Sequence, residues 1–208
     1  MMKKHVLMGL LLLASFASFA QAKTAAKIDD QKWKIRLRVI DVIPPGSSYT
    51  ITPGTDVKVG SSIVPELDFT YYFTKNLAAE LILGTTRHKV SLAPSGSKTE
   101  LGKVWLLPPT LNVQYHIPLK GVEPYFGAGI NYTIFYGVKD AGASLKYKNA
   151  VGFSTQAGAD FSISDKWFIN LDVKRLFLKT DVTVEPSTKL KGVKIDPWII
   201  GIGIGTKF

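Results

Sequence analysis

Apolar and polar positions alternate one by one in the last stretch of the chain, from Trp198 to Phe208. One face of this stretch holds a tryptophan, three isoleucines, a threonine and the terminal phenylalanine, whereas glycines dominate the other face. A period of two predicts a β-strand, because successive side chains of a strand point to opposite faces. An apolar face with an aromatic residue at each end is typical of a strand that crosses a membrane.

The same alternation recurs upstream and predicts eight strands, which are joined alternately by short and by long polar connections. This arrangement, with its even number of strands, predicts an all-β fold: an eight-stranded antiparallel up-and-down transmembrane β-barrel with short periplasmic turns, longer extracellular loops and both termini in the periplasm. A lipocalin-like soluble barrel is the alternative, but it would carry polar residues outside. The predicted strands are 33–43, 63–73, 77–90, 103–117, 124–137, 151–162, 166–180 and 193–208.

The beginning of the chain has the pattern of a secretory signal. Lys3 and Lys4 precede an apolar run from Val6 to Leu13, and small residues follow up to Ala22. The apolar run is too short for a membrane-spanning helix, which needs roughly 20 residues. We therefore predict a cleaved signal peptide at 1–22 and an outer-membrane barrel domain at 23–208.

Composition narrows the possible functions. The chain has no cysteine, which excludes disulfides, zinc-thiolate sites and thiol chemistry. Its formal net charge is +10, but no basic stripe with interleaved aromatic residues predicts a nucleic-acid partner. Anionic headgroups are the better match for this charge, so outer-membrane lipid and lipopolysaccharide are the expected partners.

The inward faces of the predicted strands are rich in glycine. An eight-stranded barrel is only just wide enough for side chains to fill it, so small inward residues matter. The glycines fit close backbone approach, tight barrel curvature or room for a ligand in a narrow tunnel. Because Ile82, Leu106 and Ile199 also point inward, we predict a partly apolar lumen. The inward glycines are Gly127, Gly129, Gly152, Gly158, Gly201, Gly203 and Gly205.

Charged residues face the same lumen on the first two predicted strands. Lys34, Arg36 and Arg38 point inward on the first, and Glu66 and Asp68 do so on the second. Antiparallel pairing is expected to bring Arg38 near Asp68. Because unpaired charges would be costly in this confined space, we predict a paired network that closes the periplasmic end. This structural role ranks ahead of substrate recognition.

Candidate catalytic groups are sparse. His88 and His116 are predicted near opposite ends of neighbouring strands, too far apart to share a metal. His88 with Ser91 superficially resembles part of an acyl-transfer site, but no third orienting residue stands out. The alternating glycines of 201–205 are followed by no helix and cannot cradle a phosphate. We predict no catalytic residue, metal or cofactor.

Several segments together resemble the outer-membrane protein W family of small barrels, which includes alkane-uptake relatives. The resemblance implies a hydrophobic channel that admits small apolar molecules and releases them sideways through the wall. The segments are Trp33 with Arg36 and Arg38, Leu107-Pro108-Pro109-Thr110, the run from Glu123 to Thr133, Asp196-Pro197-Trp198, and terminal Phe208.

The resemblance also implies roles for individual lumen residues. The family's hydrophobic constriction has an aliphatic residue at the position of Ile82, and an aromatic partner where this chain has Lys174. The constriction here is therefore expected to be polar, rebuilt by other residues, or open. Pro108 and Pro109 match prolines that interrupt strand pairing, since proline cannot donate to the ladder, and they mark the expected lateral opening.

Passive uptake of small hydrophobic molecules is the function that these features favour. A closed structural or adhesion barrel is the alternative, with loops that bind a host, phage or bacteriocin partner. An enzymatic barrel ranks third. The sequence names no substrate and does not determine the oligomeric state.

Overall fold

The computed structural model describes residues 31–94, 99–141, 144–184 and 188–208, so the predicted signal peptide at 1–22 lies outside the described residues. None of the described residues forms a helix that is long and apolar enough to cross a membrane. The strands are β1 (Trp33–Ile43), β2 (Tyr49–Thr52), β3 (Thr55–Val59), β4 (Ser62–Tyr72), β5 (Leu77–Gly84), β6 (Thr86–Pro94), β7 (Thr99–Leu107), β8 (Thr110–His116), β9 (Val122–Asp140), β10 (Leu145–Tyr147), β11 (Ala150–Ser162), β12 (Trp167–Phe177), β13 (Lys179–Val184), β14 (Thr188–Lys194) and β15 (Trp198–Lys207).

Antiparallel pairing closes the strands into a barrel, which confirms the predicted fold class. The ring runs β1, β4, β5, β8, β9, β11, β12, β15 and back to β1. Trp33 N donates to the Phe208 carbonyl at 3.0 Å, so the first and last wall strands join. Closure pairs the two outermost strands of the sheet with each other, as a sheet that faces lipid requires. We call the end with short connections the turn end and the opposite end the loop end.

The outer surface of the wall is a band of apolar side chains, which we call the lipid belt. More than half of each of the Leu37, Val39 and Ile202 side chains is exposed. Trp167 lies at the turn end of the belt and Trp198 at its loop end, both about half exposed. Such exposure would be unfavourable in water, and it matches the alternation from which the membrane strands were predicted.

The long connections differ from the expectation of polar loops. β2 and β3 form a hairpin within residues 44–62, and β6, β7, β13 and β14 carry the sheet well beyond the lipid belt. Their inward residues alternate as they do in the wall, with Val57, Leu145 and Val182 buried. Outward lysines make these stretches polar on average, but the inward face still packs, so the sheet continues into the connections.

The barrel interior is divided into two chemically different halves. Buried charged and amide side chains fill the turn half, whereas buried aliphatic side chains fill the loop half. The apolar half is built around Val57, Val90, Val104, Leu106 and Leu178, with Ile195 in the same cluster. The candidate site lies where the two halves meet.

Candidate functional site

The turn half of the lumen is occupied by a network of polar side chains, which we call the plug. Each member is buried within the barrel, although each lies on a strand that crosses the lipid belt. The alternating pattern puts one polar residue at every second position of a wall strand, all facing one axis. The plug consists of Lys34, Arg36, Arg38, Glu66, Asp68, Thr70, Glu80, Asn112, Gln114, His116, Glu123, Gln156, Asp160, Asn170, Asp172 and Lys174.

Lys34 ties together distant wall strands at the turn end. Its Nζ lies 2.7 Å from Glu123 Oε1 and 2.6 Å from Asp160 Oδ2. Glu123 is also bound by Lys207, whose Nζ is 2.6 Å from Oε2, and by the Tyr72 hydroxyl, which donates to Oε1 at 2.6 Å. Several donors therefore stabilise each carboxylate, as burial of a charge requires.

Two arginines hold the centre of the plug. Arg36 Nε lies 2.7 Å from Asp68 Oδ1, and its Nη2 lies 2.6 Å from Glu80 Oε1. Arg38 Nε is 2.9 Å from Glu66 Oε1, and its Nη2 is 2.7 Å from Asp68 Oδ2. The contact predicted between Arg38 and Asp68 is therefore present. Because the guanidinium groups contact several carboxylates at once, the network is held across strands.

Lys174 forms the top layer of the plug. Its Nζ lies 2.8 Å from Glu66 Oε1 and 2.7 Å from Asp172 Oδ1. The ammonium group therefore occupies the level at which the family resemblance implies an aromatic partner for Ile82. This level is an ion-paired floor rather than an apolar constriction.

The inward glycines serve the plug and the close approach of strands. A Cβ added at Gly129 would overlap with the carbonyl oxygen of Leu111. Of the three explanations for these glycines, close backbone approach matches the contacts at these positions, where backbone and inward side chains already fill the adjacent space. The other close neighbours are Gln114 at Gly127, Phe177 at Gly152, Tyr125 at Gly158, Ile40 at Gly201, Leu37 and Arg38 at Gly203, and Phe168 at Gly205.

Above the plug lies an apolar cavity that reaches from mid-barrel into the loop half. Its volume is about 40 Å³, which holds a few water molecules but is no open pore. Ile82, Leu106 and Ile199 line its wall, as predicted for a partly apolar lumen, and Lys174 lies at its floor. A second cavity of about 40 Å³ continues toward the loop end and shares Leu106 in its lining.

The upper cavity is bounded by a stacked aromatic pair. The rings of Phe135 and Tyr147 lie 5.4 Å apart at 10°. Burial, with Asp140 nearby, raises the pKa of the Tyr147 phenol above its usual range, so this hydroxyl stays neutral at physiological pH. Apart from the ion pair of Lys174 and Glu66 at the floor, the described residues that line the two cavities include no acidic or basic side chain other than His88 and the neutral phenol of Tyr147.

The wall beside the lower cavity has a break in its hydrogen-bond ladder. Ile82 pairs with Thr110 on one side of the break, and Thr86 pairs with Leu106 on the other. Pro108 and Pro109 lie between β7 and β8, and Pro108 lines the cavity whereas Pro109 does not. Neither proline has an N–H to donate to a neighbouring strand.

Polar side chains satisfy the carbonyl groups at this break. Asn131 Nδ2 donates to the Pro108 carbonyl at 3.1 Å, and Thr110 Oγ1 donates to the same oxygen at 3.0 Å. The Tyr132 N–H donates to the Pro109 carbonyl at 3.0 Å. The break is therefore stabilised on the β9 side and lacks ladder pairing on the β5–β6 side.

The two histidines lie in different halves of the lumen. His88 contacts the Gly60 carbonyl through Nδ1 at 2.6 Å and the Thr86 hydroxyl through Nε2 at 3.1 Å. Both ring nitrogens are therefore engaged away from Ser91, the residue considered as its catalytic partner. This arrangement provides no activated hydroxyl at Ser91.

A potential ligand cluster lies at the turn end. His116, Glu123 and Asp160 bring possible metal ligands within 4.8 Å of one another. The ammonium group of Lys34 already binds both carboxylates there. The cluster is therefore better described as part of the plug than as a metal centre.

Sequence reasoning assigned five charged residues to this network, placed Lys174 at the constriction, and left several partners unassigned. Glu80, Glu123, Asp160 and Asp172 supply carboxylates from four further strands. The sequence did indicate Asp160 and Asp172, because the alternation of apolar and polar residues places both on inward faces of their strands. Which of them would meet a given cation depends on how the strands are staggered around the barrel.

Comparison with known proteins gives one consistent result. Residues 30–208 match the model of the OmpW family. The outer-membrane protein y4mB of Sinorhizobium fredii is 42% identical over 183 residues, covering 85% of this chain and 80% of that protein. The dibenzothiophene metabolism operon protein PahQ of Pseudomonas aeruginosa is 30% identical over 192 residues, covering 86% of this chain and 90% of PahQ. The crystal structure of the outer membrane protein OprG from Pseudomonas aeruginosa matches with a TM-score of 0.73 at 27% identity, covering 86% of this chain and 96% of OprG.

Proposed function

The chain belongs to the OmpW family of outer-membrane barrel proteins, and on that premise we propose that it mediates passive uptake of small hydrophobic molecules. In this proposal the loop end faces the exterior and the turn end, with both termini, faces the periplasm. Cargo enters the apolar loop half and leaves sideways into the membrane. The observation that carries the proposal is an apolar conduit that ends on the plug beside a break in the wall.

The plug argues against straight passage into the periplasm. An apolar molecule moving past Lys174 would have to displace ion pairs whose atoms lie 2.7 and 2.8 Å apart. Separating a buried charge from its partners costs several kcal/mol, by an order-of-magnitude rule. Cargo that reaches the floor of the cavity therefore has a lower barrier through the wall than through the plug.

The proposed exit is the break between the third and fourth wall strands. Gly84 and Pro108 face the cavity there, while the side chains of Leu83 and Leu107 are exposed on the lipid belt. No ladder pair has to be broken between Ile82 and Thr86 for these strands to part. An apolar molecule would thus move from the apolar cavity to the apolar belt without displacing the ion pairs of the plug.

The cargo is proposed to be apolar and small. The cavity lining is dominated by aliphatic side chains such as Ile40, Ile82 and Leu176. The relative PahQ is named for an operon of dibenzothiophene metabolism, and dibenzothiophene is an apolar aromatic compound. Both observations favour aromatic or aliphatic hydrocarbons over sugars or ions.

The substitution Gly84→Ile tests the proposed route. A Cβ at this position would meet the Pro65 carbonyl oxygen at 3.6 Å and Glu66 atoms at 3.8 Å, which are ordinary contacts. The barrel should therefore fold, while the added side chain fills the small cavity at the exit. Leu83→Phe is the matched control, since it adds bulk to the lipid-facing side of the same strand.

Uptake is measured in vesicles whose outer leaflet contains lipopolysaccharide, with naphthalene and n-octane as probes. We expect the unmodified protein and Leu83→Phe to accelerate entry, and Gly84→Ile to lower it to the rate of protein-free vesicles. Transport by Gly84→Ile at the unmodified rate would refute the exit. If the unmodified protein accelerated no alkane, aromatic or fatty compound, uptake would be excluded in favour of a closed barrel whose loops bind a host, phage or bacteriocin partner.

A further inference from the structure

Three lysines form a row across the outside of the barrel, just beyond the loop end of the lipid belt. Lys89 on β6 pairs directly with Lys103 on β7, and Lys103 pairs directly with Lys139 on β9. Lys89 and Lys139 are exposed and Lys103 is about one-third exposed. Adjacent strands lie roughly 4.8 Å apart, so three ammonium groups share a narrow strip of surface.

A β-bulge in β9 places the third lysine in this row. The pairing register shifts between Lys103 and Trp105, opposite Gly137, whose φ is +56°. A positive φ favours glycine, and the extra residue reverses which side chains face outward. Val138 consequently packs against the apolar cluster of the lumen while Lys139 is exposed. In a regular strand the next outward residue after Tyr136 would be Val138.

The row is electrostatically unfavourable without a counter-charge. Like charges directly opposite one another destabilise a sheet. Glu100 Oε1 lies 3.8 Å from Lys103 Nζ, and the carboxylate of Asp140 accepts the Leu145 N–H at 3.1 Å. Two carboxylates therefore face four cations, the three lysines of the row and the neighbouring Arg87. An anion bound along the row would relieve the repulsion.

The surface below the row indicates what kind of anion fits. The Trp105 ring has the Arg87 guanidinium 4.9 Å and the Lys139 ammonium 5.7 Å from its centroid. Two residues further along β7, Leu107 is exposed on the lipid belt. From the belt outward, the surface is thus first apolar at Leu107, then aromatic at Trp105 with Arg87 beside it, and then carries the three lysines of the row. Acyl chains, a glycosidic backbone and phosphate groups occur in this order in a phosphorylated glycolipid.

We propose that the row of Lys89, Lys103 and Lys139 binds the phosphate groups of a glycolipid of the outer leaflet, the lipid A part of lipopolysaccharide. The acyl chains lie against the lipid belt below Trp105, and Arg87 contacts the same headgroup. This site is separate from the lumen and does not depend on uptake, although it shares the orientation in which the loop end faces the exterior.

Binding of purified lipid A to the detergent-solubilised protein tests the site, with lipid A from which both phosphates have been removed as the matched ligand. The variant Lys89→Gln/Lys103→Gln/Lys139→Gln removes the row. Its control is Lys146→Gln/Lys189→Gln/Lys191→Gln, which removes the same charge from a basic cleft on the strands of the loop end.

We expect the row variant to bind lipid A roughly 100-fold more weakly, since each lysine beside an anionic lipid surface contributes about a factor of five. The control variant should bind within about threefold of the unmodified protein. An equal loss in both variants, or equal binding of dephosphorylated lipid A, would overturn the proposal in favour of general charge attraction. Inorganic phosphate that bound as tightly as lipid A would overturn the assignment to a lipid.

Stability provides an independent readout. In a neutral detergent without lipid A, the row variant should melt at the same temperature as the unmodified protein or higher, because the repulsion has been removed. Added lipid A should raise the melting temperature of the unmodified protein more than that of the row variant. A row variant that melted lower without lipid A would show that the lysines stabilise the barrel themselves and would contradict the proposal.

Discussion

Replacing Lys174 with methionine tests whether the floor of the cavity is an ion-paired structural element or a gate. Met has a similar length and no charge, so Lys174→Met removes the ammonium group from between Glu66 and Asp172. At 2.8 Å and an effective dielectric constant of 20, the attraction to each carboxylate is about 6 kcal/mol. Much of that attraction offsets the desolvation of the buried ions.

The net loss in the free energy of unfolding depends on the partners that Glu66 and Asp172 retain. Removing one partner of a buried ion pair costs about 3–5 kcal/mol. Glu66 keeps Arg38, with Nε 2.9 Å from Oε1, and Asp172 keeps the Tyr125 hydroxyl, which donates to Oδ2 at 2.7 Å. We therefore expect a loss at the low end of that range, about 3 kcal/mol. The double variant Lys174→Met/Glu66→Gln should recover about 2 kcal/mol of it as coupling energy.

Urea unfolding of the barrel in phospholipid vesicles, followed by tryptophan fluorescence, measures these free energies. A loss below about 1 kcal/mol in Lys174→Met, or additivity in the double variant, would refute the structural interpretation of the plug. Uptake of naphthalene should be unchanged in Lys174→Met, because the proposed exit lies beside the floor and not through it. Faster uptake would show that the plug is part of the route.

Two further substitutions test the wall. Ile202→Arg, in the middle of the lipid-facing row of β15, should lower the free energy of unfolding in vesicles by about 2–4 kcal/mol, whereas Thr206→Arg near the interface should cost about 1 kcal/mol or less; equal costs would contradict the assignment of the belt. Gly129→Ala should cost about 3 kcal/mol by overpacking, because its Cβ overlaps with the Leu111 carbonyl, whereas Gly46→Ala has no atom within 4 Å and should be neutral. A neutral Gly129→Ala would show that β8 and β9 can move apart.

The sequence alone was sufficient to predict the wall strands, because each strand faces lipid on one side and the lumen on the other and its residues alternate accordingly. The alternation in β15 was readable without a partner strand, since lipid outside and polar groups inside act on every residue independently. The same local signal underestimated the connections. Outward lysines obscured the inward Val57, Leu145 and Val182, so strands beyond the belt were taken for loops.

The tertiary structure alone decided which side chains meet. Lys34 binds Asp160 across 126 positions of sequence, a contact that depends on barrel closure and strand stagger rather than on either local pattern. The same long-range geometry places neighbouring strands against the inward glycines, a contact that the sequence had left as one of three explanations. The row of lysines depends on the bulge at Gly137, which alternation by itself could not reveal. Residue pattern thus determined the faces of the strands, whereas closure and register determined the plug, the cavity and the lysine row.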